Sequence, residues 1–391
     1  MRLAHLADPH LGFRQYHRLD ARGRNQREVD VATAFSRAID GVIAERPDAV
    51  VVAGDLFHAV RPTNFAILHA VREFVRLRRD LPHAPVIVIA GNHDTPRSSD
   101  TTSIFGLLEQ LGVEVAAEGS RRLDYPHLDL AVLAVPHQAL FEPPRHFAPE
   151  GRARHQVLVI HGQTPGLIAP DRAVEEPGGA DLSDQDLGAD WSYVALGHYH
   201  VQCQVGPRHW YAGSLDYVSS NPWGELREER RRELAGKGWL LVDLDTGAVE
   251  RRPVEAPRRF LDLRWLDGRD LAAPELDRLI ADAVTAVPGG IGEAVVRQVV
   301  LNTPRAVARE LDHARIRGWK AEALHFQLDL RRPEPVTRTV GMGAPGRRET
   351  LAEILESFLA DRDLPAGVDR DRFVARGMEF LAAVDVPVED A

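Results

Sequence analysis

An α/β architecture is predicted by three observations on this 391-residue sequence. Short Val- and Ile-rich runs without alternation, such as Ala49-Val50-Val51-Val52-Ala53 and Val86-Ile87-Val88-Ile89, read as strands buried on both faces. Between them lie stretches whose apolar residues recur close to every 3.6 positions, the signature of helices packed on a sheet. Side chains able to bind metal ions follow almost every strand-like run, at the strand ends where α/β sheets place their ligands.

The elements follow in order. Residues 3–7 form a first strand, and residues 31–44 a helix with Val31, Ala34, Phe35, Ala38, Val42 and Ile43 on one face. Pro47-Asp48 turns the chain into the strand 49–53; a second helix over 65–77 precedes the strand 86–89. Further strands are expected at 128–135, 157–160, 193–196 and 239–244, with the acidic, glycine-containing stretch 171–190 as a loop or ill-ordered excursion. Beyond residue 255 the texture changes to strand 260–266, helix 274–287 stopped by Pro288-Gly289-Gly290, strand 294–301, helix 305–316 and strand 323–330. This β-α-β-α-β module stands apart from the polar motifs. Residues 333–348 are rich in Pro and Gly, a linker composition. Two amphipathic helices come last, one marked by Leu351, Ile354, Leu355, Phe358 and Leu359, the other by Val374, Met378 and Leu381 after an Asp369 N-cap. The expected divisions are 1–255, 256–332, a linker at 333–349, and 350–391.

A formal net charge of −10 argues against gripping nucleic acid by bulk electrostatics, although bound cations would add local positive charge. Cys203 is the only cysteine, which rules out an intramolecular disulfide and suits a reducing cytoplasm. With no signal-like apolar run and no bilayer-length one, the expectation is a cytoplasmic enzyme with no membrane partner. Arg14, Arg18, Arg22, Arg24 and Arg27 face only Asp20 in sequence; they read either as a solvated loop or as phosphate contacts.

The chemistry lies in one ordered series: Asp8-Pro9-His10, Gly54-Asp55, Gly91-Asn92-His93-Asp94, His161-Gly162 and Gly197-His198-Tyr199-His200. Asp8, His10, Asp55, Asn92, His161, His198 and His200 are too many ligands for one tetrahedral zinc and fit two ions bridged by a carboxylate. Alternate strand residues share a face, so His198 and His200 can enter one site. Paired ions roughly 3.5–4 Å apart serve displacement at phosphorus.

These motifs, with Leu-Ala-Asp-Pro-His-Leu-Gly at 6–12, Ala-Gly-Asp-Leu-Phe-His at 53–58, Ala-Gly-Asn-His-Asp at 90–94, Val-Ile-His-Gly at 159–162, Ala-Leu-Gly-His-Tyr-His at 195–200 and Tyr-Ala-Gly-Ser-Leu at 211–215, resemble the calcineurin-like metallophosphoesterase superfamily. Within it the chain looks like SbcD-type nuclease subunits. The resemblance implies a two-sheet αββα sandwich, a small α/β cap that recognises DNA, and terminal helices that bind a partner. It implies that Asp8, His10, Asp55 and His200 hold one ion and that Asp55, Asn92, His161 and His198 hold the other. Both would be Mn²⁺, with Mg²⁺ or another divalent ion as alternatives. It gives His93 the catalytic imidazole's role, Asp94 that of its orienter, and His58 a part in positioning the scissile phosphate. The implied activity is 3′→5′ exonuclease on duplex DNA and endonuclease on single strands. The implied partners are an SbcC-type ATPase and a second copy of the chain, as a homodimer within a heterotetramer. The residues alone also admit a phosphomonoesterase or cyclic-nucleotide phosphodiesterase, a protein phosphatase, or a binding scaffold. The cap and tail weigh against the small-substrate enzymes and the protein phosphatase; the complete ligand set weighs against the scaffold.

Overall fold

The computed structural model describes residues 1–95, 103–142, 145, 147–165, 178–188, 190–333, 351–360, 362, 364 and 368–384. In chain order the elements are β1 (Arg2–Leu6), α1 (Gln26–Glu45), β2 (Ala49–Ala53), α2 (Asn64–Asp80), β3 (Val86–Ile89), α3 (Gly106–Glu109), β4 (Glu114–Ala116), β5 (Arg121–Tyr125), β6 (Leu130–Val135), β7 (His155–His161), α4 (Asp184–Leu187) and β8 (Tyr193–Gly197). There follow β9 (Cys203–Gly206), β10 (His209–Tyr211), α5 (Pro222–Arg231), β11 (Gly238–Asp243) and β12 (Val249–Pro253). A third group comprises β13 (Phe260–Asp262), β14 (Leu266–Asp267), α6 (Ala273–Thr285), β15 (Val295–Leu301), α7 (Arg305–Glu310), α8 (His313–Glu322) and β16 (His325–Leu330). The last two helices are α9 (Leu351–Ala360) and α10 (Arg370–Val384).

Two six-stranded sheets, ordered β12-β11-β1-β2-β3-β4 and β5-β6-β7-β8-β10-β9, stack face to face. Strand pleating decides which side chains meet. Val51 of β2 enters the inter-sheet core with Leu3, Ile87, Val132 and Val157. Its neighbours Val50 and Val52 point the other way, against Phe35 of α1 and Phe74 of α2. The second sheet's outer face, with Leu158, Ile160 and Leu196, is covered by Leu140, Leu182, Leu187 and Trp191. The result is the layered α/β sandwich expected from the runs of valine and isoleucine, with helices or packed loops outside each sheet.

The third sheet is built around β15, which pairs in parallel with β13 and β14 along one side and with β16 along the other. Two expected elements are divided. The strand over 260–266 breaks into β13 and β14. The helix over 305–316 becomes α7 and α8, because Asp312 caps α8 by accepting the Arg315 N–H at 2.9 Å, while its own N–H is taken by Asp277. The structure also contains β4, β5, β9, β10, β12 and α5, none of which the apolar runs announced. The acidic stretch holds α4, capped by Ser183; residues 166–177 lie outside the described residues, as do 334–350, which take in all of the expected linker 333–349 except Pro333. Met1–Pro333 forms one compact unit and Glu334–Ala391 a second. In the second, Gly377 of α10 lies against Leu359 of α9, and Ile354, Phe358 and Phe380 are exposed. Among the described residues, no helix is long and apolar enough to cross a membrane.

Within the arginine stretch Arg27 is framework, whereas Arg14, Arg18 and Arg22 are exposed. Arg27 is fully buried between Asp30 and Asp216, each 3.1 Å away. Arg24 pairs with Asp20, Arg14 with Glu28, and Arg18 donates to the Ala321 carbonyl oxygen.

His5 in β1 is also buried, sharing a 2.9 Å hydrogen bond with the Tyr193 hydroxyl, and burial lowers its pKa to about 3 from 6.5. Between these values the unfolded chain binds a proton that the folded chain refuses. Stability therefore falls as pH drops through that window, by about 1.4 kcal/mol per pH unit from this group. His5→Leu should flatten the acid limb of stability measured by denaturant titration at successive pH values; an unchanged slope refutes this.

Candidate metal centre

The site forms where β1, β2, β3, β7 and β8 end, the C-terminal edge of the parallel strands. The loops there take unusual backbone paths. Asp8, His10 and Asp55 have φ of 50°, 49° and 49°, and His198 has 103°. Non-glycine residues seldom adopt such values, and their gathering at one site marks stored strain. Two glycines allow the loops to close: a Cβ on Gly91 would overlap Asp55, and one on Gly197 would overlap the Ala53 carbonyl oxygen.

All seven expected ligands converge. The ligand atoms of Asp8, His10 and His200, and those of Asp8, Asp55 and His161, lie within 4.8 Å of one another. His10 Nε2 faces His200 Nε2 at 3.2 Å and Asp55 Oδ2 at 3.6 Å. On the other side, Asn92 Oδ1 lies 2.9 Å from His161 Nε2 and 3.0 Å from His198 Nδ1. Both Asp8 oxygens accept the His198 backbone N–H, at 3.0 and 3.1 Å.

Hydrogen-bond accounting tests whether cations fit. His161 Nδ1 is 2.9 Å from the Ala53 carbonyl oxygen, an acceptor only, so the ring's first proton belongs on Nδ1. Its Nε2 then turns a lone pair toward Asn92 Oδ1 and, at 3.3 Å, Asp55 Oδ2. Asp55 Oδ2 is buried and has no hydrogen-bond donor among the described residues. Three electron-rich atoms facing one another need a positive charge between them. Burial opposes charge on His161, yet Asp55 and Asp8 raise its pKa to about 9, so the surrounding carboxylates favour positive charge at this point. Burial likewise opposes charge on Asp55, but His161, first among the surrounding imidazoles, holds that carboxylate well below its usual range. Asp8 moves upward, chiefly through burial. Imidazole, carboxylate and carboxamide donors in this arrangement suit first-row divalent ions.

His58 and His93 adjoin the cluster. Their rings stack at 5.0 Å, and His93 meets His10 edge-on at 4.8 Å. His93 Nδ1 is 3.1 Å from the His58 carbonyl oxygen, and His58 Nδ1 is 3.2 Å from His10 Nδ1. Asp94, expected to orient His93, accepts the Gly91 N–H at 2.7 Å and the Phe57 N–H at 3.0 Å, so its carboxylate ties two backbone loops together. Burial, then Asp55, pushes its pKa up to about 7.

Sequence reasoning missed three groups. Gly179 runs so close to His198 that a Cβ there would strike its ring, and only folding reveals the approach. Glu225 and Lys237 form a buried ion pair behind His200. Lys237 did leave a signal: lysine occurs only twice in the chain, at 237 and 320, among 48 basic residues.

Comparison with known proteins agrees with this geometry. The sequence model of the calcineurin-like phosphoesterase family matches residues 1–202, more than half of the chain. The chain is similar to the DNA double-strand break repair protein Mre11 of Methanococcus maripaludis, 29% identical over 288 residues that cover 69% of this chain and 71% of that one. The protein of the same name from Sulfurisphaera tokodaii is 30% identical over 273 residues, 66% of this chain and 64% of its own. That from Methanocaldococcus jannaschii is 27% identical over 282 residues, covering 68% and 70%. With the expected motifs gathered at the ends of the expected strands, the chain belongs to the calcineurin-like phosphoesterase family and is a metal-dependent enzyme of phosphoester chemistry.

Proposed function

We propose that this chain is a Mn²⁺-dependent DNA nuclease of the SbcD and Mre11 type, a 3′→5′ exonuclease on duplex ends and an endonuclease on single strands. The observation that carries the reading is the buried Asp55 Oδ2, without a donor among the described residues and set between His10 and His161. Asp8, His10, Asp55 and His200 would hold one ion; Asp55, Asn92, His161 and His198 would hold the other. When bound, such a pair activates water and neutralises phosphoryl charge. His93, with Nδ1–H given to the His58 carbonyl oxygen, keeps Nε2 for the proton that the departing 3′ oxygen requires. His58 steadies His10 through their paired Nδ1 atoms. Asp94 holds His93 in place through the backbone of its loop.

The similarity to the repair proteins runs over 288 residues in one case, beyond the 202 of the phosphoesterase match, which supports a DNA substrate over a small phosphomonoester. On this reading residues 256–332 are the cap that steers duplex DNA. Residues 350–391 grip an SbcC-type ATPase, and the chain works in the cytoplasm as a homodimer within a heterotetramer.

The pure chain should shorten end-labelled duplex DNA in Mn²⁺, lose that activity in chelator, and leave a chromogenic phosphomonoester essentially unhydrolysed. Rapid phosphomonoester turnover with intact DNA would overturn the assignment.

A further inference from the structure

We infer that Glu225, fixed by Lys237, is the positioning residue that sets the tautomer and aim of the His200 imidazole. The inference rests on the metal-centre reading and adds to it a residue from a helix that no metal motif touches.

Glu225 lies in the first turn of α5, fully buried; Lys237 lies just before β11, also buried, far along the chain from the strand that leads into His200. The two form a close ion pair through Glu225 Oε2. Lys237 Nζ also donates to the His200 carbonyl oxygen at 2.8 Å and stands 3.1 Å from Glu229 Oε1. Glu229 in turn accepts the Tyr217 hydroxyl at 2.6 Å. One ammonium therefore clamps the His200 backbone and two carboxylates together. In a chain that otherwise uses arginine almost throughout, a compact ammonium with three freely directed donors suits this position better than a planar fork.

The remaining Glu225 oxygen is the informative atom. Oε1 is buried, has no hydrogen-bond donor among the described residues, and stands 3.6 Å from His200 Nδ1. A neutral imidazole carries one proton. A carboxylate beside Nδ1 draws the proton to that nitrogen, which leaves the Nε2 lone pair directed at the side where His10 Nε2 lies 3.2 Å away. Metal-binding histidines commonly have such a carboxylate on their far nitrogen, and its loss lowers metal affinity about 10–100-fold. His10 is served differently, by the His58 imidazole, and His161 by the Ala53 carbonyl oxygen. Of these three orienting groups, the one behind His200 is the carboxylate.

The test is Mn²⁺ binding to the full chain by isothermal titration calorimetry, with thermal melts alongside. Wild type should bind two ions. Glu225→Gln should weaken one of the two steps by about 10–100-fold and leave the other unchanged. Because that variant leaves Lys237 short of a counter-charge, the double variant Glu225→Gln/Lys237→Met is measured as well. It should recover melting temperature without recovering the weakened step. Affinity that returns with stability would show Glu225 to be only a counter-ion for Lys237, and would overturn the proposal. Wild-type affinity for both ions in both variants would also overturn it. A wild-type chain that binds no Mn²⁺ would instead defeat the metal-centre reading on which it rests.

Discussion

His93→Leu is expected to lower DNA cleavage by about 10²–10⁴-fold, the usual contribution of a placed acid–base group, while both ions remain bound. The two halves of that result come from different parts of one residue. The backbone N–H of His93 donates to Asp55 Oδ1 at 2.9 Å and helps orient the carboxylate that would bridge the ions, and leucine keeps that N–H. The imidazole is the part proposed to serve the leaving group: the His58 carbonyl oxygen lies 3.1 Å from its Nδ1, and the His58 and His10 rings hold it in place. Leucine removes only these. The check is the rate on end-labelled duplex together with manganese content by elemental analysis. Cleavage at the wild-type rate would remove His93 from the mechanism. A matching loss of metal would move its role from proton transfer to assembly of the site.

Asp55→Asn should do the opposite, emptying the centre of metal and taking cleavage down with it. Asparagine keeps the shape and can still accept the His93 N–H through Oδ1, so the loop has no steric reason to move. What disappears is the negative charge between His10 and His161, the feature that makes a cation preferable to solvent there. The side chain is fully buried, so water cannot replace that charge. Equilibrium dialysis against Mn²⁺ measures the effect directly. Retention of two ions by the Asp55→Asn variant would show that Asp55 does not bridge.

Much of the candidate site could be read before folding because each proposed ligand sits next to a strand whose apolar run announces it. Asp55 follows Ala49–Ala53, Asn92 follows Val86–Ile89, and His161 ends His155–His161. A parallel sheet brings such ends to one edge, so order along the chain already implied proximity in space. The short strands β4, β9 and β10 had no comparable signal, because three or four residues cannot establish a period. The arginines at 14–27 show the opposite failure. Arg27 of that basic run is taken into the interior by Asp30 and Asp216, while Arg14, Arg18 and Arg22 stay exposed.

Sequence by itself determined the α/β class and the family, and it named the candidate metal-binding side chains, since all of these depend on residue type and local periodicity. Tertiary structure alone decided what surrounds those side chains. It turned Asp94 onto two backbone amides, gave His58 to His10, and set Glu225 and Lys237 behind His200. The physical reason is that orientation of a buried polar group depends on which donors and acceptors lie within about 3 Å of it. In a layered sandwich those neighbours come from elements far apart in the chain.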